Sequence, residues 1–525
     1  MRKVLRLGLT AAVMTTLAVA PPGPVHAAET MPIVDTEDYA YPGAAAVQQE
    51  FGITVSRGDG NIRIVARHAV DDDEQCRADQ IQVEQLLAEP PYGYYYCFDV
   101  KATTGYVTLR IGGTFGVRAG GQALVATAAL PDGTNKDYAV DPGLGVAINP
   151  GDGNTLPANT LLELRLSGAA APPVSAPSSY PFVAKVRIPS GSSNYGFREC
   201  SGTLVDAYWV LTAYDCVHYV STDPPRPGPP PPTQVILNRA NVDGTGGFET
   251  TVSQTVSNGT LRLALLRLAA PATGVVPAVL TSQAPQVGEE LVATGYGRTA
   301  TEWVSRQLNT GAYTVSSIDT DTMIMNRASD NPVSTCKGDL GGPTLRSTGG
   351  TSQVVGVHFR SWMSGCVGST ATGSDVTEVR VDTAAAWIRG VISPIALRAR
   401  INAKYVTMGG STTAPLIANR TAVDIWEKFD QIDVGGGYVA LYSRHVKRYV
   451  SSPVAGGTSP LVASATTIGA WEKFKVITNS DGTTSLLANA NGNYVSADSA
   501  GAKPLIANRT AIGAWEVFDR VTSTY

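Results

Sequence analysis

The amino-acid sequence predicts an all-β protein, and three observations support this fold class. Residues 35–167 contain short strand-like runs separated by turn residues, residues 180–392 are again rich in strand-like runs, and residues 397–525 repeat one strand-and-turn pattern three times. A chain of 525 residues is too long for a single hydrophobic core. We therefore expect three β domains of ordinary size.

The first 27 residues have the features of a secretory signal peptide. Three basic residues near the start precede an apolar run at residues 7–20, and Val25-His26-Ala27 fits a small-residue cleavage site. The apolar run is too short to span a bilayer, and no later stretch is long and apolar enough to do so. We expect residues 1–27 to be removed and the mature chain to be secreted, extracellular and without a membrane span.

Charge and cysteine content exclude some partners and favour an oxidising compartment. The net charge of −4 becomes −7 without the three basic residues of the signal, which argues against nucleic acid as a partner. The cysteine count is even and the residues fall in sequence-local pairs, which favours disulfides over zinc because no pair has the spacing of a zinc knuckle. The pairs are Cys76/Cys97, Cys200/Cys216 and Cys336/Cys366. We expect no metal and no cofactor.

Residues 28–168 are predicted to form a β-sandwich-like domain closed by residues 161–166, a run that alternates apolar and polar side chains. The function of this domain is not apparent from its sequence. The other predicted strands are 61–70, 94–101, 106–111 and 122–130.

A stretch rich in Gly, Ala, Pro and Ser, residues 169–179, is predicted to be a linker to a second domain at 180–393. A proline cluster at 224–232 is interpreted as an exposed polyproline loop of this domain. A short helix is expected at 383–392, before Pro394 ends it.

The last region, residues 394–525, carries three independent markers with one common period. Tyr-Val recurs after 44 and then 45 residues, and Trp-Glu-x-Phe recurs after 45 and then 44. Pro-Leu-Ile/Val-Ala lies between them in each copy, so three β repeats are expected to close into a β-trefoil. The markers begin at Tyr405, Tyr449 and Tyr494, at Trp426, Trp471 and Trp515, and at Pro415, Pro460 and Pro504.

Residues 180–392 resemble the trypsin/chymotrypsin family of serine proteases across the whole catalytic domain. The resemblance implies two β-barrels, with Cys200–Cys216 and Cys336–Cys366 bonded. It rests on Tyr180-Pro181-Phe182, Cys200 to Val205, Trp209 to Cys216, Ala264 to Leu268, Thr294 to Arg298, Gly338 to Pro343, and Ser361-Trp362 with Gly365-Cys366.

All three catalytic positions that the resemblance marks are substituted. In the family a serine attacks the carbonyl, a histidine takes its proton and an aspartate orients the histidine. The matching residues here are Leu340, Asp215 and Arg262: a leucine cannot attack, a carboxylate is a weak base at neutral pH, and the arginine has the opposite charge to the family's aspartate. We expect no catalytic residues, and an Asp215–Arg262 ion pair in the vacated space.

The activation and specificity features of the family are also altered. No Ile-Val-Gly-Gly start precedes residue 180, so we expect Asp339 to lack an ammonium partner and the oxyanion loop around Gly338 to be poorly ordered. The resemblance places Ser334 on the floor of the specificity pocket, and Met363 replaces a glycine at its entrance.

The C-terminal repeats resemble fascin-like β-trefoils, and their occurrence on secreted microbial hydrolases implies a carbohydrate-binding role by analogy with the fold. Because the tryptophans keep one phase in every repeat, we interpret them as packing residues rather than sugar platforms. Candidate binding residues are those that two repeats keep and the middle one lacks: Asn419, Arg420, Asn508 and Arg509.

The functional prediction is a secreted, catalytically inactive trypsin-like protease homologue that binds an extracellular polysaccharide or protein. Two alternatives remain open at this point. One is an active trypsin-family serine endopeptidase, and the other is a decoy that occupies protease inhibitors or protein substrates. The sequence gives neither the ligand nor the oligomeric state.

Overall fold

The structure is a computed structural model that describes residues 36–72, 74–148, 156–168, 174–189, 197–218, 232–328, 334–453 and 459–523. The expected signal peptide and nearly all of the proline cluster lie outside these residues. Strands account for 49% of the chain, so the all-β class is confirmed. Within the described ranges, no helix combines the length and hydropathy that crossing a bilayer requires.

The N-terminal region consists of two five-stranded antiparallel sheets that share one apolar core. One sheet has the order β1-β5-β10-β7-β8 and the other β2-β4-β3-β6-β9. The elements are α1 (Ala44–Phe51), β1 (Thr54–Gly58), β2 (Ile62–Ala69), β3 (Ile81–Leu86), β4 (Gly93–Val100), β5 (Thr104–Gly112), β6 (Thr114–Arg118), β7 (Leu124–Ala129), β8 (Asn135–Val140), β9 (Gly145–Ala147) and β10 (Thr160–Ser167).

Strand β10 shows how the apolar residues of the predicted closing strand come to lie in the core. Leu161, Leu164 and Leu166 are all at most 5% exposed, although a strict alternation would turn Leu161 to the opposite face from Leu164. The register shifts between Leu161 and Glu163, and this bulge lets all three leucines face the core.

The middle region contains two closed six-stranded barrels, which confirms the predicted double barrel. The first closes in the order β11-β12-β13-β16-β15-β14, and the second closes through β22-β21-β18-β19-β20-β23. The elements are β11 (Val183–Pro189), β12 (Phe197–Asp206), β13 (Trp209–Ala213), α2 (Tyr214–Val217), β14 (Gln234–Leu237), β15 (Phe248–Asn258), β16 (Leu263–Leu268), β17 (Val279–Leu280), β18 (Glu290–Gly295), β19 (Asn309–Ile318), β20 (Thr322–Arg327), β21 (Pro343–Thr348), β22 (Thr351–Ser361), β23 (Asp375–Arg380) and α3 (Val381–Ile392).

All six cysteines form the expected pairs, Cys76–Cys97, Cys200–Cys216 and Cys336–Cys366. The first joins the loop before β3 to β4, the second joins β12 to α2, and the third ties the loop before β21 to the segment after β22. The second and third disulfides therefore constrain the two barrels beside the positions that the family resemblance marks.

Twelve strands form the C-terminal region in three repeats. The phenylalanines of the Trp-Glu-x-Phe markers, Phe429, Phe474 and Phe518, are fully buried in one core. The strands are β24 (Ile395–Ala399), β25 (Lys404–Met408), β26 (Leu416–Arg420), β27 (Asp430–Asp433), β28 (Tyr438–Ser443), β29 (Arg448–Ser451), β30 (Val462–Ala465), β31 (Phe474–Thr478), β32 (Thr484–Ala488), β33 (Tyr494–Ala497), β34 (Leu505–Arg509) and β35 (Phe518–Thr522), with 3-10 turns at Ile425–Glu427, Ala470–Glu472 and Ser499–Gly501.

The first barrel and the C-terminal repeats meet at a buried ion-pair cluster. Asp430 accepts hydrogen bonds from Arg444 Nε at 2.9 Å and from Arg267 Nη2 at 3.3 Å, and Arg444 Nη1 reaches Asp206 at 2.9 Å. The side chains of Arg267 and Asp430 are 3% and 5% exposed. Two barrel residues and two repeat residues thus neutralise each other away from solvent.

Candidate functional site

The position that the resemblance assigns to the nucleophile is filled by a core side chain. Leu340 is 1% exposed and packs in the apolar core of the first barrel with Val210, Ala213 and Cys216. Its carbonyl oxygen accepts a hydrogen bond from the backbone N–H of Ser201 at 3.0 Å. The side chain has no nucleophilic atom and no contact with solvent.

The expected ion pair between Asp215 and Arg262 is wrong. Arg262 Nη1 pairs with Asp321 Oδ2 at 3.2 Å, and the guanidinium lies 5.1 Å from the ring centre of Phe359. The backbone explains this choice, because Arg262 has a φ of 56° while its carbonyl accepts from Tyr214 N–H at 2.9 Å. The main chain therefore stays beside α2 while the side chain turns to the second barrel.

Asp215 lies in the first turn of α2, three residues before His218 at the end of that helix. His218 stacks on Tyr214 at a ring separation of 4.1 Å and shares a hydrogen bond of 2.7 Å with the Ser257 hydroxyl. Both rings lie on the surface side of α2, away from the buried Leu340. The His218 imidazole and the Ser257 hydroxyl are thus in hydrogen-bond contact, but Ser257 lies on β15, at a position that the resemblance does not assign to the nucleophile.

Hydrogen bonds hold the oxyanion loop around Gly338 to its neighbours, and the expectation that this loop is poorly ordered stays a prediction. The Asp339 carboxylate accepts from the N–H groups of Gly297 at 2.7 Å and Cys336 at 2.8 Å. The Ser201 hydroxyl donates to Gly338 O at 2.9 Å. Burial raises the pKa of Asp339. Backbone amides thus supply the hydrogen bonds that an ammonium would otherwise provide.

A glycine is required where this loop passes the first barrel. Gly341 has a φ of 83°, and a Cβ at this position would lie 2.0 Å from the Thr212 hydroxyl oxygen. The loop therefore approaches β13 too closely for any larger residue.

The two predicted pocket residues, Ser334 and Met363, both contact the hydroxyl group of Ser361. The hydroxyl oxygens of Ser334 and Ser361 lie 2.9 Å apart, and the N–H of Met363 donates to the Ser361 hydroxyl at 2.9 Å. A cavity of about 180 Å³ lies behind Ser334 and is also lined by Asp339 and His358. The lining also includes the ionisable side chains of Asp339, His358 and Arg298, so the neutral floor that the resemblance implies stays a prediction.

A buried histidine and glutamate beside this cavity were not predicted to pair. His358 Nδ1 lies 2.8 and 2.9 Å from the two Glu378 carboxylate oxygens, and Nε2 lies 3.2 Å from Thr294 O. Burial favours the neutral ring, but the Glu378 charge outweighs it and raises the pKa of His358. The imidazolium donates from both nitrogens, so it holds β22 to β23 and β18 and is not a free base.

The sequence signal for this pair is a polar residue within each of two apolar strands. His358 and Glu378 are directly opposite in the β22–β23 register, and both are at most 1% exposed. Only the strand pairing identifies them as partners.

A second buried charge cluster lies at β12, next to the first cysteine of the barrel. The Glu199 carboxylate contacts Lys185 Nζ at 2.6 Å and Arg187 Nε at 2.8 Å, and its side chain is fully buried. Burial alone would raise the pKa of Glu199, but the two cations outweigh it and lower that pKa to about 2. Folding therefore keeps this carboxyl ionised.

This pKa shift predicts a specific loss of stability in acid. A carboxyl group with a lowered folded-state pKa stabilises the fold above its ordinary pKa of 4.5, and the contribution disappears as the pH falls toward 2. We expect the urea midpoint of the wild-type chain to fall over this range more steeply than that of Glu199→Gln, measured by stepwise urea unfolding. A Glu89→Gln variant at an exposed position serves as the control, and equal slopes for all three chains would contradict the prediction.

The interpretation of the repeat tryptophans as packing residues holds for Trp426, which packs against the core of the repeats, but Trp471 departs from it. Trp471 is 49% exposed, and the other two are half-buried under a cationic or ring neighbour. Trp426 lies 3.8 Å from the His445 ring, and the Arg509 guanidinium lies 5.3 Å from the ring of Trp515. The core position of each marker belongs to the phenylalanine instead.

The buried glutamate of each Trp-Glu-x-Phe marker explains why this segment repeats. Glu427, Glu472 and Glu516 each accept, at 2.8 Å, a hydrogen bond from the backbone N–H three residues earlier. This contact closes the turn that carries the preceding tryptophan in all three repeats.

The structure separates the four candidate binding residues into two environments. Asn419 and Arg420 are exposed on β26, whereas Asn508 and Arg509 are half-buried on β34. Arg509 lies over Trp515 and pairs with Glu516 at 3.8 Å. In the middle repeat Ala465 replaces the arginine, and among the described residues no guanidinium lies over the Trp471 ring.

Comparison with known proteins assigns the family of the middle region. Residues 173–388 match the family model described as Trypsin. The human chymotrypsin-like elastase family member 1 is 28% identical over 252 residues, which are 41% of this chain and 89% of the relative. Its counterpart from Bos taurus is 28% identical over 251 residues, 41% of this chain and 86% of the relative. The chain therefore contains a trypsin-family domain.

Proposed function

We propose that this chain is a secreted, catalytically inactive homologue of trypsin-family proteases that acts as a binding protein. Its C-terminal repeats form a fascin-like β-trefoil whose ligand is an extracellular polysaccharide. The trypsin-family domain serves as a scaffold, and the regions divide near residues 168, 180 and 394.

The observation that supports catalytic inactivity is the burial of Leu340 at the position that the family resemblance assigns to the nucleophile. An oxygen nucleophile is absent there, Asp215 replaces the base, and Arg262 pairs with Asp321. A folded oxyanion loop alone contributes little to turnover, because it stabilises a tetrahedral intermediate that nothing forms. Three disulfides and the signal-like leader support secretion.

The observation that supports polysaccharide binding is the open face of Trp471. Aromatic faces stack on the C–H faces of sugars, and Trp471 is half exposed while its two counterparts are covered. Among the three repeats, the middle one thus has the tryptophan ring that is most accessible to a ligand.

Trp471→Ala is expected to reduce retention of the full chain on insoluble cell-wall, chitin or β-glucan preparations by at least tenfold. Trp471→Phe keeps an aromatic face and is expected to retain most binding. Pull-down with quantified supernatants measures both, and Trp515→Ala, which removes an already covered ring, is the matched control. Unchanged retention of Trp471→Ala, or no retention of the wild type on any preparation, contradicts the carbohydrate proposal.

The alternative of an active serine endopeptidase is tested separately. The wild-type chain is expected to leave casein intact and to take no fluorophosphonate label. Turnover or native-state labelling would overturn the proposed inactivity.

A further inference from the structure

The segment before helix α1, residues 36–41, lies against the trypsin-family domain next to the oxyanion loop. We call it the N-terminal strap. Thr36 and Glu37 are 2% and 1% exposed, so the strap is buried at its first residues. Its far end is held by the N-terminal sheets, where Tyr41 N–H donates to Ser56 O at 3.0 Å and Gly58 N–H donates to Tyr39 O at 2.9 Å.

The strap occupies a strand edge of the first barrel. Glu37 and Glu199 exchange both backbone hydrogen bonds, each 2.9 Å long, as an antiparallel pair does. Strand β12 pairs with β11 from Phe197 to Thr203, but it pairs with β13 only from Thr203 to Asp206. The second edge of β12 at Glu199 is therefore available for an added strand, which is how extended peptides join a sheet.

Two cationic side chains of the second barrel, Arg298 and Lys337, contact the acidic side chains of the strap. Arg298 Nε and Nη2 lie 2.5 and 2.6 Å from the Glu37 carboxylate oxygens, and Nη2 also donates to Ala40 O at 3.1 Å. Lys337 Nζ lies 3.4 Å from Asp38 Oδ1. A bidentate contact between a guanidinium and a buried carboxylate has the geometry of specific recognition, which an ion pair on the protein surface lacks.

The same cations connect the strap to the loop of Leu340. Arg298 N–H donates to Lys337 O at 2.9 Å, and a Cβ at Gly338 would lie 3.5 Å from Glu37 Cβ. The strap thus touches both barrels and covers the outer side of the oxyanion loop.

We propose that the β12 edge at Glu199, together with Arg298 and Lys337, is a binding groove for extended peptides with two consecutive acidic residues, and that Glu37-Asp38 of this chain occupies it in cis. The inference rests on the proposed function, because a groove beside Leu340 binds a peptide without cleaving it. A tethered segment has a high effective concentration, so a free peptide enters only when the strap is weakened or outcompeted. The partner is accordingly a protein with an exposed, extended acidic segment.

The test uses the full chain and a labelled peptide, acetyl-Thr-Glu-Asp-Tyr-Ala-Tyr-amide, in fluorescence anisotropy. The double variant E37A/D38A is expected to bind this peptide at least tenfold more tightly than the wild type. Adding Arg298→Ala to the double variant is expected to weaken binding at least tenfold, as is replacing the peptide's Glu-Asp by Gln-Asn. Glu50→Ala, an exposed acid on α1, is the matched control and is expected to behave as wild type.

Binding to E37A/D38A no tighter than to wild type, or binding that is insensitive to Arg298→Ala, overturns the groove. If the double variant does not fold, hydrogen exchange in the wild type replaces it. Millimolar peptide is then expected to speed exchange at the Glu37 amide while the Glu199 amide stays protected, and an unchanged Glu37 rate overturns the proposal. Polysaccharide retention and fluorophosphonate labelling are measured on the same samples, so failure of the groove is distinguished from failure of the proposed function.

Discussion

Leu340→Ser is expected to leave the chain without peptidase activity and to destabilise the trypsin-family domain. The side chain is 1% exposed among Val210, Ala213 and Cys216, so shortening it opens a cavity in the first barrel. Truncating a buried leucine costs about 2–5 kcal/mol, and the buried hydroxyl adds to that cost. Denaturant unfolding measures the loss of stability, and fluorophosphonate labelling with casein turnover measures activity.

We expect Leu340→Ser to be inactive because of the environment of the position and not its identity alone. A serine hydroxyl needs a base, and Asp215 is a weak base at neutral pH, while Arg262 is committed to Asp321. Leu340→Met, which conserves volume, is the matched control and is expected to cost less than about 1.5 kcal/mol. Labelling of Leu340→Ser above the wild-type background would contradict the prediction, as would equal stability of the two variants.

Asp430→Ala is expected to have the second large effect, at the junction of the first barrel and the C-terminal repeats. The change leaves Arg267 and Arg444 near each other with one carboxylate, Asp206, in place of two. Removing one partner of a buried ion pair costs about 3–5 kcal/mol, because the remaining charge is desolvated without compensation. Denaturant unfolding of the full chain measures this loss.

The junction also predicts a change in protease sensitivity. Asp430→Ala is expected to expose the chain near residues 392–394 to limited proteolysis, because Arg444 Nη2 donates to Ile392 O at 3.4 Å in the same cluster. Asp433→Ala, at an exposed position on the same strand β27, is the control and is expected to change stability by less than about 0.5 kcal/mol. Equal unfolding stability and equal protease sensitivity of the two variants would show that the ion-pair cluster does not stabilise the junction.

Much of the fold was predictable because its signals are local. Residues 161–166 lie within β10, residues 383–392 lie within α3, and the disulfide pairs are as expected. Strands β1, β3, β6, β8 and β9 were not predicted, because each carries at most three apolar residues. The division of the chain into domains stays a prediction.

The site was predictable in its residue positions but not in its contacts. Family resemblance located Leu340, Asp215 and Arg262, whereas the partner of Arg262 depends on a left-handed backbone conformation that the sequence does not reveal. The 44- and 45-residue spacing of the tryptophans was likewise visible in the sequence, but the exposure of Trp471 depends on its neighbours in space, since Arg509 lies over Trp515 and Ala465 replaces that arginine in the middle repeat.

The sequence by itself determined which chemical groups this protein has: a leucine at the position that the family resemblance assigns to the nucleophile, three cysteine pairs and three repeats with tryptophan. The tertiary structure alone decided which groups meet, since Glu37 and Arg298 are 261 residues apart and His358 faces Glu378 only across paired strands. The physical reason is that burial makes the energy of a charge or hydrogen bond depend on its nearest neighbours, and a folded chain draws those neighbours from distant segments.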